Sequence, residues 1–184
     1  MFTANPPLQV VKQKYPDHEK EKTRNRYSLS QLIAQIPLSY KSVRFTCEGS
    51  IVSVSTSDNW YQYTCRKCKK KLMSDTPPFE CRDDGLQPEP EISYCFRAIV
   101  ADDTTTAPFV FFSPNADVVP NIKCSKLVKE QGYSNPKEIP PALEAIKGKR
   151  HIFQFHFNPT TQRFICLFLF QQIIQQIIFL ADVT

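Results

Sequence analysis

Cys65 and Cys68 are separated by two residues in the stretch "CRKCKKKLMSDTPPFECRDD" (65–84), and Cys81 follows Cys68 after twelve more. A thiolate is a metal ligand, and tetrahedral zinc sites take ligands as two close pairs, each on a tight knuckle, with a loop that brings the knuckles together. Cys65 and Cys68 make the first knuckle and Cys81 opens the second. Asp84 occupies the remaining corner. Three sulfurs and one carboxylate oxygen can hold Zn2+, although structural sites favour sulfur and imidazole, so Asp83, water or a rearranged partner competes for the fourth position. The plain alternative is a flexible basic loop whose thiols happen to cluster. An open fourth position is also what hydrolytic zinc uses. No general base paired with a substrate pocket is legible nearby, so the expected role is structural and no enzymatic activity is expected.

The other four cysteines, Cys47, Cys95, Cys124 and Cys166, fall in strand-like or helix-like stretches, where a free thiol behaves as a small apolar group. Seven cysteines is an odd number, and their spacing fits reduced thiols and a metal better than a disulfide framework. No charged segment followed by an apolar core opens the chain, so no secretory signal is expected. "FICLFLFQQIIQQIIFL" (164–180) is the one candidate for a membrane span. Four glutamines interrupt it, and no unbroken apolar run approaches about 18 residues.

The 184 residues are enough for one domain with its own core, and 41% hydrophobic and 12% aromatic content argues against a disordered chain. The formal net charge of +5, from 23 basic and 18 acidic residues, is mild. Its placement says more: Lys67, Lys69, Lys70 and Lys71 crowd beside the cysteine pair, and Lys147, Lys149 and Arg150 precede a strand-like segment.

These residues need elements to hold them. Residues 1–26 lack either hydrophobic period and read as an arm or linker. "YSLSQLIAQI" (27–36) has helical spacing, a serine cap and Pro37 as a stop. "VRFTCEGSIVSV" (43–54) alternates like a strand and changes parity at Gly49, which predicts a β-bulge there. "EISYCFRAIVAD" (91–102) and "APFVFFSP" (107–114) predict a hairpin joined by "DDTTT". Short helical turns are expected in 115–133 and 140–149, and a second hairpin in 150–157 and 163–170. Five strands with a helix between the third and fourth is the order of an OB-fold, a Greek-key barrel that commonly binds oligonucleotides. The expected architecture is mainly β: an OB-fold domain over 27–170, a cysteine insertion at 60–90, and an atypical tail at 171–184.

The order "NWYQYTCRKCKKKL", "FEC", "DDG" and "YCFRAIVADDTTTAPFVFFSPNAD" closely resembles the C-terminal DNA-binding domain of the replication protein A large subunit. It looks most like plant-type relatives, some of them carried by Helitron transposons, and the match runs from about Asn25 to Phe170. The resemblance implies an OB-fold with a zinc ribbon inserted after the first strand. It also implies single-stranded DNA binding in replication, repair or recombination, a nuclear location, and assembly with two smaller subunits. The family's ribbon ligands fall on Cys65, Cys68 and Cys81, and its fourth, cysteine or histidine, falls on Asp84. The tail "QQIIQQIIFLADVT" departs from the family's closing helix, although its paired isoleucines still allow an apolar stripe.

Sequence-tolerant binding of a single strand needs cations that track phosphates and aromatic faces on which bases stack. Arg66, Lys67, Lys69, Lys70 and Lys71 are expected on one rim, with Trp60 and Arg97 in the groove and Phe112 on the barrel wall. Along the first hairpin strand, Tyr94, Phe96 and Ala98 share one face and Cys95, Arg97 and Ile99 the other. Arg97 marks the exposed side, so Phe96 is expected in the core. The competing expectation is a protein-interaction module for subunit assembly, or a degenerate transposon-derived copy with weak DNA binding.

Overall fold

The computed structural model describes residues 6–40, 42–158 and 163–171. Residues 159–162 and the tail beyond Gln171 lie outside them.

Residues 6–26 carry α1 (His18–Thr23), whose Asp17 cap accepts the Glu19 N–H at 2.9 Å. This stretch is tied to the rest of the protein by buried charge. Arg24 pairs with Glu21 at 3.1 Å, and Gln154 donates to Glu21 at 2.9 Å. Burial opposes ionisation of Glu21, but the Tyr15 N–H, Gln154 and Arg24 together hold its pKa below the usual value. α2 (Leu29–Ile33) opens with a capping box between Ser28 and Gln31 and is followed by a 3-10 turn over Pro37–Tyr40. It is shorter than the sequence period predicts: the helix is capped at Ala34, and residues 34–36 run as a turn and bend into the 3-10 element.

β1 (Phe45–Val54) buries Phe45, Cys47, Ile51 and Val54. The irregularity expected at Gly49 lies further on, where pairing with the neighbouring strand slips between Ile51 and Ser53. Ile51 keeps the parity of Phe45 and Cys47, and Val52 is 52% exposed. Gly49 answers a different need: a Cβ there would stand 2.6 Å from the Ala101 carbonyl oxygen, so only glycine allows the strands to approach this closely.

The insertion holds β2 (Tyr61–Thr64), β3 (Glu80–Cys81), β4 (Gly85–Leu86) and β5 (Glu91–Tyr94). β2 pairs with β5 and β3 with β4, as two small antiparallel sheets. β6 (Arg97–Ala101) and β7 (Thr106–Phe111) form the expected hairpin. The single strand predicted over 91–102 is therefore two: the backbone leaves the ribbon sheet at Tyr94 and enters the barrel at Arg97. Tyr94, Phe96 and Ala98 are nevertheless all buried, as their shared parity requires. A 3-10 turn (Asn115–Val118), α3 (Cys124–Lys129) and α4 (Pro141–Glu144) precede β8 (Arg150–Asn158) and β9 (Arg163–Gln171).

The barrel strands run in the order β1-β6-β7-β9-β8, with β8 paired back onto β1. All neighbours are antiparallel except β7 and β9. Its centre is a phenylalanine cluster: Phe96 stacks on Phe111 at 4.9 Å, and Phe109 meets Phe155 edge-on at 5.2 Å. Phe96, Phe109, Phe111, Phe153 and Phe155 thus serve packing, as expected for a barrel of this size.

His151, on β8, is buried, and neither ring nitrogen has a hydrogen-bond partner among the described residues. Burial, and secondarily the charge of Lys149, lowers its pKa, so the ring is neutral in the fold and protonates more readily once unfolded. The stability from this difference is complete above the unfolded pKa of about 6.5 and declines as pH falls below it. His151→Phe is expected to reduce the acid-induced fall in Tm between about pH 6.5 and 4.5, as read by thermal melts across that range.

Candidate metal centre and nucleic-acid interface

β2 delivers Cys65 to the start of a tight knuckle in which the Lys69 N–H donates to the Cys65 carbonyl at 3.0 Å and the Cys65 N–H to the Lys70 carbonyl at 2.9 Å. Lys69 adopts φ of 62° to close it. The β3–β4 hairpin makes the second knuckle, with Asp84 just before Gly85 at φ of 71°, a conformation that suits glycine. Backbone bonds from Leu72 to Tyr63 and from Met73 to Glu80 clamp the two knuckles together.

One ligand atom from each of Cys65, Cys68, Cys81 and Asp84 lies within 4.8 Å of the others. Cys68 and Cys81 sulfurs are 3.5 Å apart, and Asp84 Oδ2 is 3.2 Å from the Cys65 sulfur and 3.8 Å from that of Cys81. Bonds of about 2.3 Å to sulfur and 2.0–2.2 Å to oxygen put the edges of a zinc tetrahedron at roughly 3.5–3.8 Å. The donor set fits the ion in both chemistry and spacing. It also fits Asp84 as the fourth corner in place of Asp83, whose carboxylate pairs with Lys70.

Protons are shared unevenly in so tight a cluster. A backbone hydrogen bond at Lys70 favours the Cys68 thiolate, but desolvation and the side chains of Cys81, Asp84 and Cys65 outweigh it, and the thiol is pushed up to about 12. Backbone hydrogen bonds at Asp83 and Asp84 hold Cys81 down, and hydrogen bonds from the Cys65 and Cys68 thiols hold Asp84 down. Gln87, buried beside them, places its Oε1 3.5 Å from the Cys65 sulfur.

Most of the cations expected on the rim are on the surface and already paired. Arg66 meets Glu89 at 3.1 Å, Lys69 meets Glu91 at 2.5 Å, and Lys70 meets Asp83. Lys67 and Lys71 are exposed. Arg97, half-exposed on β6, pairs with Asp58 at 2.9 Å. Exposed pairs of this kind contribute about 0–1 kcal/mol, so exchange of the acid for a phosphate costs little.

Phe112, just past β7, is 37% exposed and available for stacking. Trp60 is not. It is fully buried, lies edge-on against Tyr61 at 4.7 Å, and donates its indole N–H to the Asn135 carbonyl at 3.1 Å. The sequence suggested a groove residue because Trp60 leads into the basic ribbon; the fold uses it to lock the ribbon's root onto the barrel. Around Arg97 the outer face of the β1–β6–β7 sheet is partly apolar, with exposed Val52 and Pro108 and half-exposed Ile99.

Sequence reasoning missed Lys123 and Lys129, which line hollows between the ribbon and α3. The signal was present in "KCSKLVK" (123–129), where lysines recur every third residue along a short helical stretch.

No family model matches the chain, and no curated protein matches it. Among solved structures it is similar to a replication protein A heterotrimer bound to ssDNA, with a TM-score of 0.63 and 21% identity over 80% of this chain. The chain spans 36% of the length of that one. It is also similar to yeast RPA bound to ssDNA, with a TM-score of 0.54 and 16% identity, covering 71% of this chain and 78% of that one. At these identities the likeness is one of fold: the protein carries a mainly β OB-fold of the kind found in replication protein A.

Proposed function

We propose that the protein is a sequence-tolerant single-stranded DNA-binding module, a binding protein rather than an enzyme, that works in the nucleus in replication, repair or recombination. The observation that carries this reading is the outer face of β1, β6 and β7. Arg97 and Phe112 stand there beside a cation-bearing ribbon, on a fold whose solved relatives are described as bound to ssDNA. Arg97 exchanges Asp58 for a phosphate, Phe112 stacks a base, and Arg66, Lys67, Lys69, Lys70 and Lys71 supply the phosphate rim. Structural zinc, held by Cys65, Cys68, Cys81 and Asp84, would fix that rim by crosslinking the two knuckles.

The test is fluorescence anisotropy of a labelled dT oligonucleotide across a salt series. Contact with three or four phosphates predicts a slope of log affinity against log salt of about −2 to −3, since each phosphate contributes about −0.7 on single strands. Arg97→Ala should reduce the slope by about one phosphate equivalent. A flat salt dependence, or no binding at low salt, would sink the proposal; competition with oligo-U would report preference for DNA over RNA.

A second reading, docking to smaller subunits of a replication protein A-like assembly, is favoured by the exposed apolar side chains of Ile33, Ile36 and Leu38. Among the described residues, no helix is long and apolar enough to cross a membrane.

A further inference from the structure

Two hollows outside the barrel face lie side by side between the ribbon and α3. Tyr94 on β5 fixes this geometry by donating its hydroxyl to the Ile122 carbonyl at 3.0 Å, which seats the start of α3 against the β2–β5 sheet. The first hollow, about 740 Å³, is lined by buried Ile92, Tyr94 and Cys124, by the polar Gln62, Thr64 and Ser93 of the β2–β5 sheet, by the exposed ring of Phe112, and by Lys69 and Lys123. The second, about 520 Å³, shares Lys69 and Ile92 with the first and adds Arg66 and Lys129. Together they form one furrow that begins at Phe112, where the barrel face ends.

The acids along it are largely quenched. Glu91 is held by Lys69 at 2.5 Å. Asp117 is partly buried, accepts the Ser113 hydroxyl at 2.8 Å, and has its pKa raised by burial. Glu130 remains at the far end beside Lys129. The exposed Phe112 ring beside Ile92 and Tyr94 suits the flat face of a base, the polar Gln62 suits its edge, and the lysines of the two hollows suit the phosphates on either side of it. A duplex exposes its phosphates but keeps its bases stacked inside, so it could not present a base in this way.

We infer that the furrow between the ribbon and α3 is a second segment of the nucleic-acid path, which takes single-stranded nucleotides that continue past Phe112. An unstacked base enters the larger hollow, and Lys123 and Lys129 hold the flanking phosphates. This inference rests on the single-strand-binding reading above and extends its site from the barrel face onto the ribbon.

The experiment compares the full chain with the double variant Lys123→Glu/Lys129→Glu on labelled dT oligonucleotides of about 6 and about 16 nucleotides, which bracket OB-fold site sizes. Both lysines are exposed, so a thermal melt should confirm an unchanged fold. The double variant is expected to bind the longer oligonucleotide about tenfold or more weakly and with a salt slope smaller by roughly 1.4, while affinity for the shorter one stays within about twofold. A charge-matched control, Lys20→Glu/Lys126→Glu, changes two exposed lysines that line neither hollow and should alter neither affinity by more than about twofold. An equal loss for both lengths, no loss for either, or the same loss in the control would overturn the furrow and leave single-strand binding standing. Failure of the unaltered protein to bind either oligonucleotide would overturn both.

Discussion

Removal of the proposed zinc from the purified protein with a strong chelator is expected to unfold the ribbon while the barrel stays folded. Structural zinc in small modules supplies about 10–16 kcal/mol of binding free energy that doubles as folding free energy. The ribbon has little to replace it. Its buried apolar residues are Cys65, Leu72 and Cys81, helped by partly buried Tyr63, Cys68 and Phe79, and two of its strands are only two residues long. The barrel's phenylalanine cluster lies in a separate core. The expected result is loss of amide-exchange protection over residues 65–86, with β1, β6, β7 and β8 still protected. Metal stoichiometry sharpens the test at the fourth ligand. Asp84→Cys should tighten zinc by at least about tenfold, since structural sites favour thiolate over carboxylate, and Cys65→Ser should lose zinc at micromolar concentration. An unaltered protein that holds no zinc, or a ribbon equally protected with and without it, would refute the structural metal.

Trp60→Ala should be the most damaging single substitution at the root of the ribbon, and it should act through stability. Truncation of a fully buried Trp costs about 3–5 kcal/mol, a large share of the roughly 5–15 kcal/mol that holds a domain together. The change also removes the donor to the Asn135 carbonyl and the packing against Tyr61 and Tyr94. A urea titration should show the midpoint falling, and the fraction that stays folded should bind single strands as tightly as the parent. Loss of affinity at unchanged stability would return Trp60 to the binding face.

The contrast between Trp60 and Arg97 shows what the sequence made legible. Strand parity separated Arg97 from buried Tyr94, Phe96 and Ala98 correctly, because alternation is a local rule. Trp60 sits before β2 in an irregular stretch where no period applies, and its burial is decided by Pro136 and Asn135, more than seventy residues away. The three cysteines and Asp84 were legible for the opposite reason: ligand spacing is set within each knuckle. The division of 91–102 into β5 and β6 was not, since both halves are strand-like and only the tertiary partners differ. Lys123 and Lys129 gain significance from the hollow opposite them, which belongs to another part of the chain.

The furrow has two owners. Lys69, Arg66, Glu91 and Ile92 stand on the ribbon, while Lys123 and Lys129 belong to α3 on the barrel side. A strand lying in it and an ion holding the knuckles would therefore stabilise the same arrangement, and the coupling must be reciprocal. Whatever factor the ion adds to affinity for the strand, the strand adds to affinity for the ion. With a carboxylate at its weakest corner, such a site would hold its metal most firmly while engaged on DNA. Grip on a single strand would then become a function of the cell's free zinc.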